Sequence, residues 1–367
     1  MLYLDNAATT RPCPEALRIL SDENLFFNPS SQHAAGKAAR DSLEDSRRAV
    51  ANAIGADADE IYFTSCGTES NALALLGAAA TFREPQSIVT TGLEHPSVRE
   101  NINLLRQRGW GVTVVPPDKN GRVSAADVAA AVTPSTKIVS CMTVCHENGA
   151  VLPIAEIVSR IREKARAVVH TDAVQGFMKV DCGVRKTDVD LLTLSAHKLG
   201  GVRGAAAIYI RRGLKIKGLW LGGGQERGLR SGTEAAALIA ALAEAVKCCR
   251  PPDGGLLPYA AEKLQALGAV IIPPHDAPHI LAFALAGCPG PVVQRMLSDA
   301  GICVSTGAAC SKGRGSPVLT AMKLPKPVVD GALRISFGRD NTRADIDALA
   351  TELYAIKRRF SSGAGAP

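Results

Sequence analysis

The sequence predicts an α/β fold: a mainly parallel central sheet with helices on both faces, plus a smaller α+β unit. Three observations carry this prediction. Short, near-continuous apolar runs recur along the first two thirds of the chain, as in strands buried on both faces. Segments with helical spacing separate them, the alternation of crossover units in a parallel sheet. After Gly222 the texture changes to a long apolar helical stretch, a break and a mixed remainder.

The elements follow in order. Ile61–Thr64 reads as a strand that runs into Cys66-Gly67-Thr68-Glu69-Ser70 and then a helical pattern over 71–80. Further strands are predicted over 87–91, 112–115 (closed by Pro116-Pro117), 137–144, 167–170, 191–194 and 205–210. Residues 127–132 and 154–165 fit intervening helices, and 235–249 reads as one apolar helix. Arg250-Pro-Pro-Asp-Gly-Gly then breaks the chain. The last helix starts at Thr342, with Asp345 three residues on as a near capping box. Ile346, Leu349, Leu353 and Ile356 give it one apolar face. The expected division is a large domain over 15–240 and a small α+β domain made of 1–14 and 241–360. Residues 361–367 are expected to be a disordered tail.

Composition narrows the class. Of 367 residues, 46% are hydrophobic and 21% charged, the balance of a globular protein with a sizeable core. Aromatics are only 4% and the net charge of +7 is scattered, so direct nucleic-acid binding has no support. The longest apolar run, 235–243, is too short to span a bilayer, and the opening MLYLDNAATT lacks the features of a signal peptide. A cytoplasmic protein is expected. Ten cysteines contain no Cys-x-x-Cys pair, so no metal site is expected and most should be small buried hydrophobes.

Five local patterns carry chemistry. Lys198, in Ser195-Ala196-His197-Lys198, sits just after a strand on a Gly-rich turn, where partial burial lowers an amine pKa and readies it for a Schiff base. Alone, it is better read as a solvated surface lysine, since most lysines are solvated. Asp172 ends another apolar strand, at the sheet edge where such folds bind ligands; there it can pair with a protonated pyridine nitrogen or simply cap a turn. Ser65 through Ser70 links a strand to a helix, and its free amides suit a phosphate or a plain N-cap. Thr68, Ser195 and His197 are further donors. His95, after 87–91, is placed to stack on a ring and shuttle protons, or to serve structurally.

The fifth pattern is Cys310 in a small-residue loop flanked by Lys312 and Arg314, where nearby cations favour the thiolate. Arg334 lies inside an apolar strand-like run. A buried arginine requires an anion, either a substrate carboxylate or a structural acid.

Taken together these residues resemble the cysteine desulfurases of the nitrogen-fixation and iron–sulfur-cluster type, class V aminotransferase-like pyridoxal-phosphate (PLP) enzymes of fold type I. The resemblance runs from Tyr3-Leu4-Asp5-Asn6-Ala7-Ala8-Thr9-Thr10 through Asn28-Pro29-Ser30-Ser31-Gln32-His33, Glu94-His95, Asp172-Ala173-Val174-Gln175 and Gly222 to Gly228, as far as Arg334-Ile335-Ser336. It also takes in Arg230-Ser231-Gly232-Thr233 and Gly307-Ala308-Ala309-Cys310.

The resemblance implies that the large domain binds PLP, with Lys198 as its Schiff-base lysine. Asp172 would hold the pyridine nitrogen and Gln175 the ring hydroxyl side, while His95 stacks and acts as acid–base. Gly67, Thr68, Ser195 and His197 would cup the phosphate, completed by Thr233 from a second subunit, which makes the protein a homodimer. Asn28 and Arg334 would bind the carboxylate of L-cysteine. Cys310 would take the sulfur as a persulfide, leaving L-alanine, and pass it to an iron–sulfur scaffold or thiolation enzyme. Two positions depart from the family: Cys145-His146 stands for Asn-Asn, which puts His146 at the ring hydroxyl, and Gly201-Val202 stands for Gly-Pro. A selenocysteine lyase or simple C–S lyase on the same scaffold, and a weakly active partner protein, are the competing readings.

Overall fold

The computed structural model describes residues 1–306 and 316–363, of which 361–363 as backbone only. It contains twelve strands: β1 (Leu2–Tyr3), β2 (Ile61–Thr64), β3 (Ser87–Thr91), β4 (Gly111–Val115), β5 (Thr136–Ser140), β6 (Val168–Asp172), β7 (Leu191–Ser195), β8 (Ala206–Ile210), β9 (Val270–Ile272), β10 (Ile280–Ala284), β11 (Ile302–Cys303) and β12 (Ala332–Ser336). Seven of them form the central sheet in the order β2-β8-β7-β6-β5-β3-β4. All run parallel except β8, which is antiparallel to both neighbours.

The apolar strands are explained by what covers them. Adjacent residues of one strand point to opposite faces. Ile88, Ile138 and Leu191 pack with Leu73, Val98 and Ile102 of the helices Gly67–Ala79 and Pro96–Gln107. Their neighbours Val89, Val139 and Leu192 pack on the other face with Val50, Ile157 and Leu242 of the helices Ala34–Ile54, Ile154–Arg162 and Ala236–Cys248. Both faces are dry, so alternation vanishes from the sequence.

The smaller unit is the antiparallel sheet β12-β10-β9 under the helices Leu256–Ala266 and Arg343–Gly363. Leu281, Phe283, Leu333, Leu349 and Leu353 form its core, joined by Leu4 of the N-terminal segment. That segment stays beside it: β1 pairs with β11, and the Ser336 N–H donates to the Leu4 carbonyl at 2.7 Å.

Several boundaries move. The strand foreseen over 137–144 ends at Ser140, beyond which the chain peels off and Val144 bridges back to Val151. β6 reaches Asp172, two residues past the expected end. Residue 240 lies inside the helix Ala236–Cys248, whose buried face belongs to the central-sheet core. The Thr342 N–H donates to Asp345 Oδ2 at 2.9 Å, which fixes the start of the last helix. That helix continues through Gly363, so 361–363 are helical rather than tail, and 364–367 lie outside the described residues. Among the described residues no helix is long and apolar enough to cross a membrane.

Candidate active site

The loops that follow β2, β3, β5, β6 and β7 all leave the same edge of the sheet, because these strands are parallel. A cavity of about 360 Å³ opens there, lined by side chains from every one of these loops and by Arg334 and Pro317 of the smaller unit. It lies where ligands sit in parallel α/β sheets.

One end of the cavity is built for an anion. The helix Gly67–Ala79 starts at Cys66 with no side-chain cap on its first amides. A Cβ on Gly67 would come within 2.9 Å of Val174 Cγ2, so glycine keeps this approach open. Ser195 Oγ is buried without a hydrogen-bond partner among the described residues, an expensive state that a ligand oxygen relieves. His197 Nδ1 lies 3.2 Å from Thr9 Oγ1, and burial pushes the imidazole down to about 4, so it is neutral.

The floor is a carboxylate held from two sides. Asp172 Oδ2 accepts from Asn71 Nδ2 at 2.8 Å and Oδ1 accepts from the Val174 N–H at 2.9 Å. Asn71 also donates to Ser97 Oγ at 2.8 Å, and that hydroxyl lies 2.8 Å from His95 Nδ1. His95 thus stands fixed above the floor as the N-cap of the helix Pro96–Gln107. Burial lowers its pKa, opposed by the negative Asp172. Gln175 donates from Nε2 to the Ala7 carbonyl at 2.8 Å. Lys198 closes the cavity, its Nζ donating to the carbonyls of Ala7 at 2.6 Å and Ala8 at 2.8 Å.

The opposite wall is less complete. Arg334 is 6% exposed. It donates to Asp5 Oδ1 at 2.9 Å and to the His146 carbonyl at 2.5 Å, but its Nε has no partner among the described residues. His146 Nδ1 is likewise buried and unpartnered, with its ring 5.1 Å from that of His95. Burial, with His95 and Arg334 beside it, drives His146 well below the ordinary value. Glu147 is pushed up to about 7 by burial, and its carboxylate receives the Ser316 hydroxyl.

The structure therefore brings together Gly67, Thr68, His95, His146, Asp172, Gln175, Ser195, His197, Lys198 and Arg334. It does not bring in Asn28, which is exposed and accepts from the Ser30 N–H at 2.9 Å, nor Thr233, which is exposed and outside the lining. Cys310 lies outside the described residues. On either side of that gap, Ser305 pairs with Arg334 and Pro317 lines the cavity.

Sequence reasoning missed Asn71, although its helical spacing from Thr68 places both on one face. It gave no separate role to Asp5 or to the carbonyls of Ala7 and Ala8. It overlooked Cys66, an exposed thiol in the cavity wall. Nor did spacing reveal that Cys13, Glu15 and Cys248 each bring a ligand atom within 4.8 Å of the others.

The donor set fits PLP: an uncapped helix start with a spare hydroxyl for the phosphate, a bound carboxylate for the ring nitrogen, and a lysine for covalent attachment. The aminotransferase class-V family profile matches residues 2–349. A cysteine desulfurase of Cereibacter sphaeroides is 39% identical over 97% of this chain and 95% of its own. Among solved structures, a NifS-like protein superposes with a TM-score of 0.91 at 34% identity, over 97% of this chain and 99% of that one. Another, described as SspA in complex with cysteine, gives 0.83 at 30% identity, over 93% and 100%.

Proposed function

This chain belongs to the aminotransferase class-V family, and from that premise we propose an L-cysteine desulfurase that uses PLP and parks the sulfur on Cys310. The observation that carries the reading is the convergence of Lys198, Asp172, His95 and Arg334 on one cavity, with Ser195 Oγ and Arg334 Nε unpartnered toward it. Bound PLP supplies an electron sink for breaking bonds next to the substrate nitrogen.

The roles follow from position. Asp172 meets the ring nitrogen, and its two N–H donors hold its carboxylate in place. Gly67, Thr68, Ser195 and His197 take the phosphate, and Gln175 the ring hydroxyl side. Lys198 would hold the cofactor covalently, and its amine would move protons from beside the Ala7 and Ala8 carbonyls. His95, neutral and fixed by Ser97, accepts and returns a proton over the ring. Arg334 offers its unpartnered Nε to the substrate carboxylate. The Cys310 thiolate attacks the substrate sulfur: an S–S bond forms as the Cβ–S bond breaks, and the carbon takes a proton before L-alanine leaves. Thr233 is assigned to a homodimer whose second copy completes the phosphate cup, and Asn28 to the substrate carboxylate beside Arg334. An iron–sulfur scaffold or thiolation enzyme is the proposed acceptor. We place the division between large and small units after Cys248, where the central-core helix ends.

The deciding experiment compares the protein with Cys310→Ala. We expect both to be yellow and only the unmutated protein to form alanine and sulfide from L-cysteine with a thiol reductant. Equal alanine formation by the two would leave a C–S lyase without a persulfide relay.

A further inference from the structure

Lys198 has a second face. Behind it, away from the cavity just described, lies another of about 210 Å³, in which Lys179, Cys249 and residues of the loop after β12 join Lys198. Its charge is lopsided. Arg11, Lys179, Lys198, Arg250 and Arg339 line it, against only Asp340 and Asp345. The two acids are engaged already: Asp345 accepts from the Thr342 N–H and Asn341 Nδ2, and Asp340 pairs with Arg339 at 3.4 Å.

Lys179 is the decisive group. It follows the turn after β6, and its Nζ is buried with no hydrogen-bond partner among the described residues. An unpartnered buried ammonium is costly, and a folded protein retains one where an anion meets it. Arg11, Arg250 and Arg339 are exposed, so they stand at the mouth while Lys179 stands at the floor.

We propose that this second cavity is a binding site for a small oxyanion, held by Lys179 from below and by the three arginines from the rim. The assignment does not rest on the desulfurase reading, since no residue of the reaction but Lys198 borders the cavity. Burial, with Lys198 beside it, lowers Lys179 to about 7. Lys198, Arg334 and Cys249 act on it there, with the rim arginines and the two acids beyond. An oxyanion needs the ammonium form, so binding weakens as pH rises above that value.

Calorimetric titration of the PLP-loaded protein with sodium sulfate, and separately with acetate, at constant ionic strength tests the site. With PLP bound, the phosphate cup is not available to sulfate. The expected result is saturable binding of one equivalent near pH 7, weakened about tenfold or more in Lys179→Met, a loss of about 1.4 kcal/mol or greater. Lys179→Arg, which keeps the charge, retains binding and guards against a folding artefact. Tighter binding of sulfate than acetate identifies a tetrahedral inorganic oxyanion, and equal binding a carboxylate. Absence of saturable heat in the unmutated protein, or equal sulfate affinity in Lys179→Met, overturns the proposal.

Discussion

Among the described residues two arginines lie buried, and they are solved in opposite ways. Arg47, on the helix Ala34–Ile54, has every nitrogen employed. It meets both oxygens of Glu226 at 2.8 Å, donates from Nε to Glu44 at 3.1 Å and from Nη1 to the Ile61 carbonyl at 2.7 Å, and lies 4.8 Å over the Phe63 ring. Glu226 also receives the Phe63 N–H at 2.8 Å. This pair fastens a loop in which Glu226 and Arg227 both adopt positive φ. Arg334 has one carboxylate, one carbonyl and an idle Nε facing a cavity. Arg47 is satisfied by its own chain, whereas Arg334 keeps one donor over, the one assigned above to the proposed substrate carboxylate.

The comparison breaks most visibly at Arg47. Arg47→Met strands Glu226 as a buried charge, and we expect a loss of about 3–5 kcal/mol in chemical denaturation with KM for cysteine unchanged. A loss under about 1 kcal/mol would mean that water relieves Glu226.

Arg334→Ala should show the reverse pattern. Removing an idle donor from substrate lowers kcat/KM by about 30- to 1000-fold, mostly through KM, with a smaller stability loss than at Arg47. Arg334→Lys should recover only part, because an ammonium lacks the planar fork. A large fall in stability with unchanged KM would make Arg334 a second structural arginine.

A carboxyl below the site extends the contrast to pH. Glu94 accepts from Thr91 Oγ1 and the Met142 N–H, yet its Oε2 has no partner, and burial raises it from 4.5 to about 8. A raised carboxyl contributes stability that is full below its unfolded value and is lost as pH climbs through the folded one. Stability should therefore fall between about pH 4.5 and 8, by at most a few kcal/mol on the scale of about 1.4 per unit. Glu94→Gln should flatten most of that slope in denaturation midpoints, leaving Glu147, held near 7, to supply the remainder.

The smallest effect is expected at His146. Its imidazole is neutral throughout the working range, so His146→Asn keeps a hydrogen-bonding side chain and alters no charge. We expect kcat/KM within several-fold and an unchanged pH profile above pH 6. Loss of a titration from that profile would give His146 a proton-transfer role.

Much of this was legible beforehand, and the reasons differ by element. Lys198 and Asp172 were readable because a polar residue ending a buried apolar strand has only the sheet edge to face. β8 was readable as a strand but not as the antiparallel one, since its residues are buried on both faces just as those of β7 are. Asn71 was within reach of helical spacing, whereas Asp5 was not: it meets Arg334 across 329 residues.

The sequence alone determined the strands of the central sheet, some of the helices that cover it, and which residues stand at the strand ends, because burial on two faces and helical periodicity are local patterns; the helices Ala34–Ile54 and Pro96–Gln107 and the strands β9 and β10 were not read from it. It fixed the family through many short motifs in order. Only the tertiary structure decided which acid Arg334 shares, which carbonyls hold Lys198, and which buried nitrogens are left without partners. Those outcomes depend on how the N-terminal segment, the central sheet and the smaller unit close on one another, and contacts between residues hundreds of positions apart leave no period in the chain.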